Sequence, residues 1–216
     1  MDVKSIYARR FISDLEFRDA MWKILCRDFF QQYIVGKSHV LEIGAGYCEF
    51  INNIQSAQKT AVDINPDIVN YAASDVNIVL NSTNLMREIS DNSVDMVFAS
   101  NLFEHLTRDE IIATFREVYR VLTPGGKFMV LQPNIRFCAK DYWMFFDHVT
   151  PIDDRAFVEA LEINGFEIIE VIERFLPYTT KSRLPKSLFL IQLYLRLRVF
   201  WRFFGQQSFI LSKKPA

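Results

Sequence analysis

The sequence predicts an α/β fold, in which a doubly wound and mostly parallel sheet of seven strands, the last of them antiparallel, carries helices on both faces. Two observations predict it. From residue 39 onward, short apolar runs alternate with segments of helical periodicity. The first of these runs ends in a glycine-rich turn that leads into a helical pattern. Alternating strand and helix units imply a parallel sheet that is covered on both faces.

The length and composition fit one domain. The 216 residues are enough for a large buried core, half of them are apolar, and 20 are phenylalanine. Cys26, Cys48 and Cys138 are widely spaced and are interpreted as reduced, buried thiols, which indicates a cytoplasmic protein. We expect no signal peptide, because Met1-Asp-Val-Lys4 lacks a following apolar run, and no membrane span.

The elements follow from periodicity and from turn residues. The first 38 residues are predicted to be helical, with a capping box at Ser13-Asp-Leu-Glu16. Asn65-Pro66 suits a helix start, Asn164-Gly165 suits a helix end, and Thr150-Pro151 predicts a helix that Thr150 caps. Strands are predicted at 39–43, 59–64, 76–80, 94–99, 126–132, 166–174 and 206–212, and helices near 47–56, 66–73, 109–121 and 151–163.

The strongest functional motif is the strand His39–Ile43 with the glycines Gly44 and Gly46 behind it. A strand, a glycine turn and a helix start allow a nucleotide-like ligand to approach bare backbone. Asp63 follows at the end of the next strand, about 20 residues past the glycines, where an acid would bind a ribose diol.

Two further segments complete a pattern. Asp91–Asn101 is a polar turn that enters a buried strand, and Val118–Leu131 contains a helix end, a Thr-Pro-Gly-Gly turn and another strand. In this order and spacing, the pieces resemble the class I S-adenosylmethionine-dependent methyltransferases over about residues 35–175. The resemblance implies a Rossmann-like methyltransferase fold, S-adenosylmethionine as the cofactor, and a single methyltransferase domain over 1–216 with an N-terminal helical segment at 1–38.

The resemblance also implies the cofactor-binding residues. The loop under the methionine part of the cofactor corresponds to Glu42, Gly44, Ala45 and Gly46, and the ribose is expected at Asp63 and Ile64. Asn81 and Ser82 lie where the adenine would be bound, and Asn101 where backbone carbonyls meet the methionine ammonium. Two positions depart from the family pattern. Cys48 replaces a glycine at what is predicted to be the helix start, and Asn81 replaces an aspartate, although its amide oxygen still accepts hydrogen bonds.

Methyl transfer to a hydroxyl group requires a base and an aligned, water-shielded acceptor. His148, in the loop after the fifth strand, is the preferred general base because an imidazole titrates near neutral pH, and Asp147 is the alternative. The competing interpretation is that His148 caps the following helix. His39 is predicted to be structural, and the family resemblance gives His105 a role in shaping the cofactor pocket. No metal is expected, because the acids around His148 have no fixed ligand spacing.

The C-terminal part of the chain is strongly basic. Residues 174–216 hold nine basic residues and no acid, whereas residues 1–173 hold all 26 acids and 16 bases. We predict a basic amphipathic helical insertion at 176–205, within which 188–204 places Gln192 and three arginines in an arc of about 160° on a helical wheel. This helix is a packing element, a lid that attracts an anionic acceptor, or a peripheral contact with the inner membrane surface.

The acceptor itself is only predicted by class. The sequence lacks an Asn-Pro-Pro-Tyr-type motif after the fourth strand, and no nucleic acid is expected. The segment Phe175–Pro185 resembles methyltransferases of bacterial cell-surface carbohydrates, which favours O-methylation of a carbohydrate, a lipid-linked glycan or a small molecule. The alternatives are a nicotinamide-dependent Rossmann oxidoreductase, which would be expected to have a glycine at Glu49, and a non-catalytic methyltransferase-like binding protein. The oligomeric state is left open.

Overall fold

A computed structural model of the protein describes residues 15–178 and 187–216. Its centre is one seven-stranded sheet with the order β3-β2-β1-β4-β5-β7-β6. The neighbouring strands from β3 to β5 are parallel, and β7 is antiparallel to both β5 and β6. The strands are β1 His39–Ile43, β2 Gln58–Asp63, β3 Val76–Leu80, β4 Val94–Ser100, β5 Leu122–Pro133, β6 Glu167–Ile172 and β7 Gln207–Lys213.

This topology confirms the predicted fold class and positions the site. β1 lies between β2 and β4, so the strand order reverses at β1. In open α/β sheets, ligands bind outside the carboxyl ends of the strands at such a reversal. β6 runs in the same direction as β1 to β5, because β7 is antiparallel to both of its neighbours, so all six of these strands end at the same edge.

Helices cover both faces of the sheet, and each face has its own apolar layer. On one face, Phe115 of α2 and Phe157 of α4 pack with Phe128 of β5. On the other face, Trp22 of α1 and Trp201 of α6 belong to a cluster that includes Phe98 of β4. The helices are α1 Leu15–Asp28, α2 Arg108–Val121, α3 Ile135–Tyr142, α4 Asp154–Ile163, α5 Leu188–Arg196 and α6 Trp201–Phe204, and 3-10 turns lie at Phe30–Tyr33, Pro66–Asn70, Phe103–His105 and Arg198–Phe200.

The helix predicted at 47–56 is wrong, since this segment forms a series of turns. Cys48 has a left-handed backbone (φ +58), which a helix cannot contain. The Asn52 amide donates to the Tyr71 carbonyl and its oxygen accepts from the amide of Ala73, and the Asn53 side chain donates to the Glu49 carbonyl. Asparagine side chains therefore take backbone partners here in place of the helical pattern.

Other boundaries also differ from the prediction: β5 begins at Leu122, so that it includes the predicted Thr-Pro-Gly-Gly turn, and β6 ends at Ile172 rather than at 174. Helix α4 begins at Asp154 and is capped by Asp153, whose carboxylate accepts from two backbone amides, whereas the Thr150 hydroxyl donates to the Leu106 carbonyl. The second predicted helix is shorter and forms a 3-10 turn at Pro66–Asn70, which Asn65 caps as predicted. The proposed capping box at 13–16 lies partly outside the described residues.

The predicted single helix over 188–204 is also wrong. The chain leaves helical geometry at Leu197 (φ −103, ψ +77), which separates α5 from the 3-10 turn and from α6. These elements lie between β6 and β7, and α5 packs on α1. Among the described helices, none is both long and apolar enough to cross a membrane.

Candidate active site

The glycine loop follows directly from β1. Gly44 (φ +64) and Gly46 (φ +53) both have left-handed backbones, which glycine adopts without a steric penalty. The amides of Gly44 and Ala45 donate to the Val62 carbonyl at 2.9 and 3.2 Å. The loop is therefore held against the end of β2, and the two glycines bring no side chain of their own to it.

Asp63 closes this loop from the end of β2. Its Oδ2 accepts from the Gly46 amide and its Oδ1 from the Asn65 amide, each at 2.8 Å. Burial raises the pKa of Asp63, and the amide donors oppose that shift. A carboxylate has about four acceptor positions, and the amides of Gly46, Asn65 and Ile64 use three of them, which leaves one for a ribose hydroxyl. The geometry suits the predicted ribose contact, which stays a prediction.

Glu42 stabilises the turn that follows the glycine loop. It is buried, and its Oε2 accepts from the Ile51 amide at 3.0 Å, which ties the turn after the glycines to β1. Burial raises its pKa well above the ordinary value. Cys48 lies in the same turn and has a glycine-like backbone conformation. The loop therefore keeps the shape that a third glycine would give, and Cys48 does not begin a helix.

The residues predicted to contact adenosine lie next to Asp63. Ile64 is 59% exposed and offers an apolar surface beside the carboxylate. The Asn81 amide nitrogen donates to the Glu88 carboxylate at 3.1 and 3.2 Å, and its oxygen accepts from the Ser82 amide. One acceptor position of the Asn81 oxygen therefore remains for an adenine amino group.

The loop after β4 lies against the glycine loop. A Cβ atom placed on Gly44 would come within 2.9 Å of a Leu102 methyl group. Asn101, just before it, has a left-handed backbone (φ +48), and its amide donates to the Leu131 carbonyl at 2.9 Å. The predicted Asn101 position is thus adjacent to the methionine end of the predicted cofactor site.

A second cluster assembles at the same edge from three separate segments. The predicted residues Asp147 and His148 are joined by His105, which follows β4, and by Tyr178, which follows β6. The His105 Nδ1 lies 3.2 Å from the Asp147 carbonyl and 3.3 Å from its Oδ2. The two histidine rings are 4.9 Å apart, and the Tyr178 hydroxyl lies 3.4 Å from the His148 Nε2.

Burial distinguishes the members of this cluster. Asp147 and His148 are 8% and 6% exposed, whereas the His105 side chain is 29% exposed. The structure adds His105 to the cluster, and its position after β4 was the available signal in the sequence. The alternative that His148 caps a helix is wrong, because Asp153 caps α4. His39 is structural as predicted, since its ring contacts the Ser93 carbonyl and the Thr60 hydroxyl.

Glu104 adds a buried carboxyl group to the cluster. Burial raises its pKa, and the nearby His105 partly opposes this shift. Its Oε2 has no hydrogen-bond partner among the described residues. Glu104, His105 and His148 could hold a metal ion, since they bring ligand-type atoms within 4.8 Å of one another. Because these residues are separated in the chain, the sequence shows no spacing typical of metal ligands. The expectation that no metal is bound stays a prediction.

The comparisons with known proteins agree with this geometry. Residues 41–130 match the family model of a methyltransferase domain. The phosphoethanolamine N-methyltransferase of Plasmodium falciparum is 28% identical over 116 residues, which are 49% of this chain and 42% of that protein. The chain thus matches less than half of the length of this curated relative.

Solved structures share the fold over nearly the whole chain. A SAM-dependent methyltransferase from Archaeoglobus fulgidus superposes with a TM-score of 0.69 at 20% identity, covering 94% of this chain and 99% of that one. An S-adenosylmethionine-dependent methyltransferase from Mesorhizobium loti gives 0.62 at 13% identity, covering 83% and 92%.

The sheet order, the glycine loop and the acid after β2 define an α/β protein with a site for a nucleoside-type cofactor. With the domain matched at residues 41–130, they indicate a methyltransferase domain of the class I S-adenosylmethionine-dependent type, as the motifs predicted. S-adenosylmethionine is the cofactor that this family implies. The nicotinamide-dependent alternative has no support in the matched family.

Proposed function

We propose that the protein transfers the methyl group of S-adenosylmethionine to a hydroxyl group of a carbohydrate, a lipid-linked glycan or a small molecule. One observation carries the proposal. A histidine and carboxylate cluster, formed by His105, Asp147 and His148, lies at the carboxyl edge of the sheet where the glycine loop also lies. A hydroxyl acceptor needs such a base, because its proton must leave as the new bond to carbon forms.

The residues present fit the cofactor. Gly44 and Gly46 bring no side chain of their own to the loop, Asp63 has an acceptor position for a ribose hydroxyl, and Ile64 presents an apolar surface for the base. The bound cofactor supplies a methyl group on a positively charged sulfur. The protein then has to align acceptor and methyl carbon and keep water away from both.

We assign proton removal to this cluster. Asp147 lies against the His105 Nδ1 and favours the tautomer that is protonated at Nδ1. In this tautomer, Nε2 can take the proton of the hydroxyl group that is to be methylated. His105 is the more exposed of the two histidines and can meet an acceptor directly. His148, preferred from the sequence, is the second candidate, because its ring packs against His105 and is nearly enclosed.

The curated relative supports a second candidate function. It is named a phosphoethanolamine N-methyltransferase, and its match includes part of this chain's domain. A primary amine is protonated at neutral pH and also has to lose a proton before it attacks. The same cluster could therefore serve methylation of an amine such as that of phosphoethanolamine.

Mass spectrometry with a deuterated methyl donor tests both candidates. The protein is incubated with labelled S-adenosylmethionine and, separately, with sugars, glycolipids and phosphoethanolamine, and a parallel set contains a chelator. We expect a labelled methyl ether on a hydroxyl acceptor. Label on phosphoethanolamine alone would replace the first proposal by the second, and loss of transfer on chelation would show that Glu104, His105 and His148 hold a required metal.

A further inference from the structure

The outer surface of residues 188–204 is unusually apolar for a surface segment. Phe189, Val199 and Phe203 are 68%, 61% and 67% exposed. The exposed large apolar side chains in this segment are Leu188, Phe189, Leu190, Leu193, Leu197, Val199, Phe200, Phe203 and Phe204. We call this set the outer apolar surface. A contiguous exposed apolar patch on a protein usually marks an interaction site.

The segment is fixed to the domain on its inner side. Leu195 and Trp201 are buried in the core that α1 also lines. The Tyr194 hydroxyl donates to the Phe175 carbonyl at 2.6 Å, and the Trp201 indole donates to the Tyr194 carbonyl at 2.8 Å. Because these contacts hold the backbone in place, the outer side chains cannot turn into the core.

Positive charge is interspersed with the outer apolar surface. Arg196, Arg198 and Arg202 are exposed, and none of them forms an ion pair with an acid of the described residues. The sequence contains no acid from residue 174 to its end. The arginines alternate along the chain with exposed apolar residues, and the Arg198 guanidinium lies 5.2 Å from the centre of the Trp201 ring.

This combination selects one kind of partner. Phenylalanine and leucine side chains enter the boundary between headgroups and acyl chains, and arginines bind lipid phosphates. A second copy of the chain would bring two sets of arginines together, which is unfavourable. We propose that residues 188–204 bind the surface of a bilayer that contains anionic phospholipids.

The segment that carries this surface follows β6 in the chain, and β6 ends at the same edge as β1 to β5. Bilayer binding by this surface does not rest on the proposed function.

Vesicle flotation tests the proposal with the full chain. The protein is mixed with vesicles of phosphatidylcholine alone or with added phosphatidylglycerol. We expect flotation only with the anionic vesicles, and weaker binding in high salt. Replacing all three arginines (Arg196→Gln, Arg198→Gln and Arg202→Gln) is expected to weaken binding about a hundredfold, because each basic residue near an anionic surface contributes about fivefold.

Matched variants distinguish this surface from the rest of the protein. Phe189→Ser and Phe203→Ser, made singly, should each weaken binding about tenfold, whereas Ile163→Ser, at a 78% exposed site elsewhere, should not. Arg108→Gln with Arg116→Gln is the charge control, since both residues are exposed on α2. Thermal unfolding and S-adenosylhomocysteine binding should be unchanged in every variant.

Three results would overturn the proposal. The first is no flotation of the native protein with either vesicle type, and the second is equal loss of binding in the surface and control variants. The third is a dimer in sedimentation that Phe203→Ser dissociates, which would assign the surface to a second copy. Unchanged S-adenosylhomocysteine affinity with lost flotation separates membrane binding from the methyltransferase function.

Discussion

The two halves of the candidate active site are built in different ways. The cofactor half, residues 42–48 with Asp63, Asn81 and Asn101, is held by main-chain hydrogen bonds and by the carboxylates of Glu42 and Asp63, which accept from backbone amides at the ends of neighbouring strands. The acceptor half, Glu104, His105, Asp147, His148 and Tyr178, comes from three segments, with side-chain contacts between residues 30 and 42 positions apart and two main-chain bonds to the Glu104 carbonyl. The ends of adjacent strands therefore define the cofactor site, whereas the packing of separate loops defines the acceptor site.

Substitution in the acceptor half should have the largest effect. His105→Gln is expected to lower turnover about 100- to 10,000-fold, because a positioned base contributes this much to catalysis. The affinity for S-adenosylhomocysteine should stay unchanged, since His105 is not in the cofactor half. Steady-state kinetics and calorimetry measure the two quantities.

The companion variant His148→Ala decides between the two histidines. A larger loss of turnover in His148→Ala than in His105→Gln would identify His148 as the general base. Normal turnover in both variants would remove the acceptor half from the chemistry altogether.

Substitution in the cofactor half should have a smaller effect of a different kind. Asp63→Asn is expected to weaken S-adenosylhomocysteine binding about 10- to 100-fold, because a charge-assisted hydrogen bond to a ribose hydroxyl is lost. Turnover at saturating cofactor should change little. Asp109→Asn, at an exposed position of α2, is the control, and calorimetric affinities that agree for Asp63→Asn and the native protein would refute the ribose contact.

The smallest expected effect concerns stability. Because burial raises the pKa of Glu42, the folded protein keeps a proton that the unfolded chain releases above about pH 4.3. The folded state then binds more protons than the unfolded state, so the free energy of unfolding falls as pH rises above that value. This contribution is at most about 1.4 kcal/mol per pH unit, and it is absent in Glu42→Gln.

Urea unfolding between about pH 5 and 7 measures this contribution as a difference between the two proteins. The native protein should lose stability relative to Glu42→Gln as the pH rises. A constant difference would show that Glu42 is ionised in the folded state and that the cofactor half contains a second charged carboxylate.

The predictions from sequence succeeded where local pattern determines structure. The strands β1 and β3 have the predicted bounds, since apolar runs next to turn residues specify both ends. Gly44 and Gly46 have the left-handed backbones that the motif requires. The antiparallel β7 and the three buried thiols also agree with the predictions.

The predictions failed where side chains form hydrogen bonds with residues that are distant in the sequence. Asn52, in the turns that replace the helix predicted at 47–56, binds the backbone at Tyr71 and Ala73, 19 and 21 positions away. Thr150 binds the Leu106 carbonyl and so does not cap α4. His105 and Asp147 meet only because the loops after β4 and α3 pack together, and no periodicity in the chain records that contact.

A crystal structure of the complex with S-adenosylhomocysteine tests the central claim most directly. If the cofactor half adjoins the acceptor half, a ribose hydroxyl lies within hydrogen-bonding distance of Asp63 and the cofactor sulfur points toward His105. A ribose bound away from Asp63, or a sulfur that faces away from the acceptor half, would contradict it.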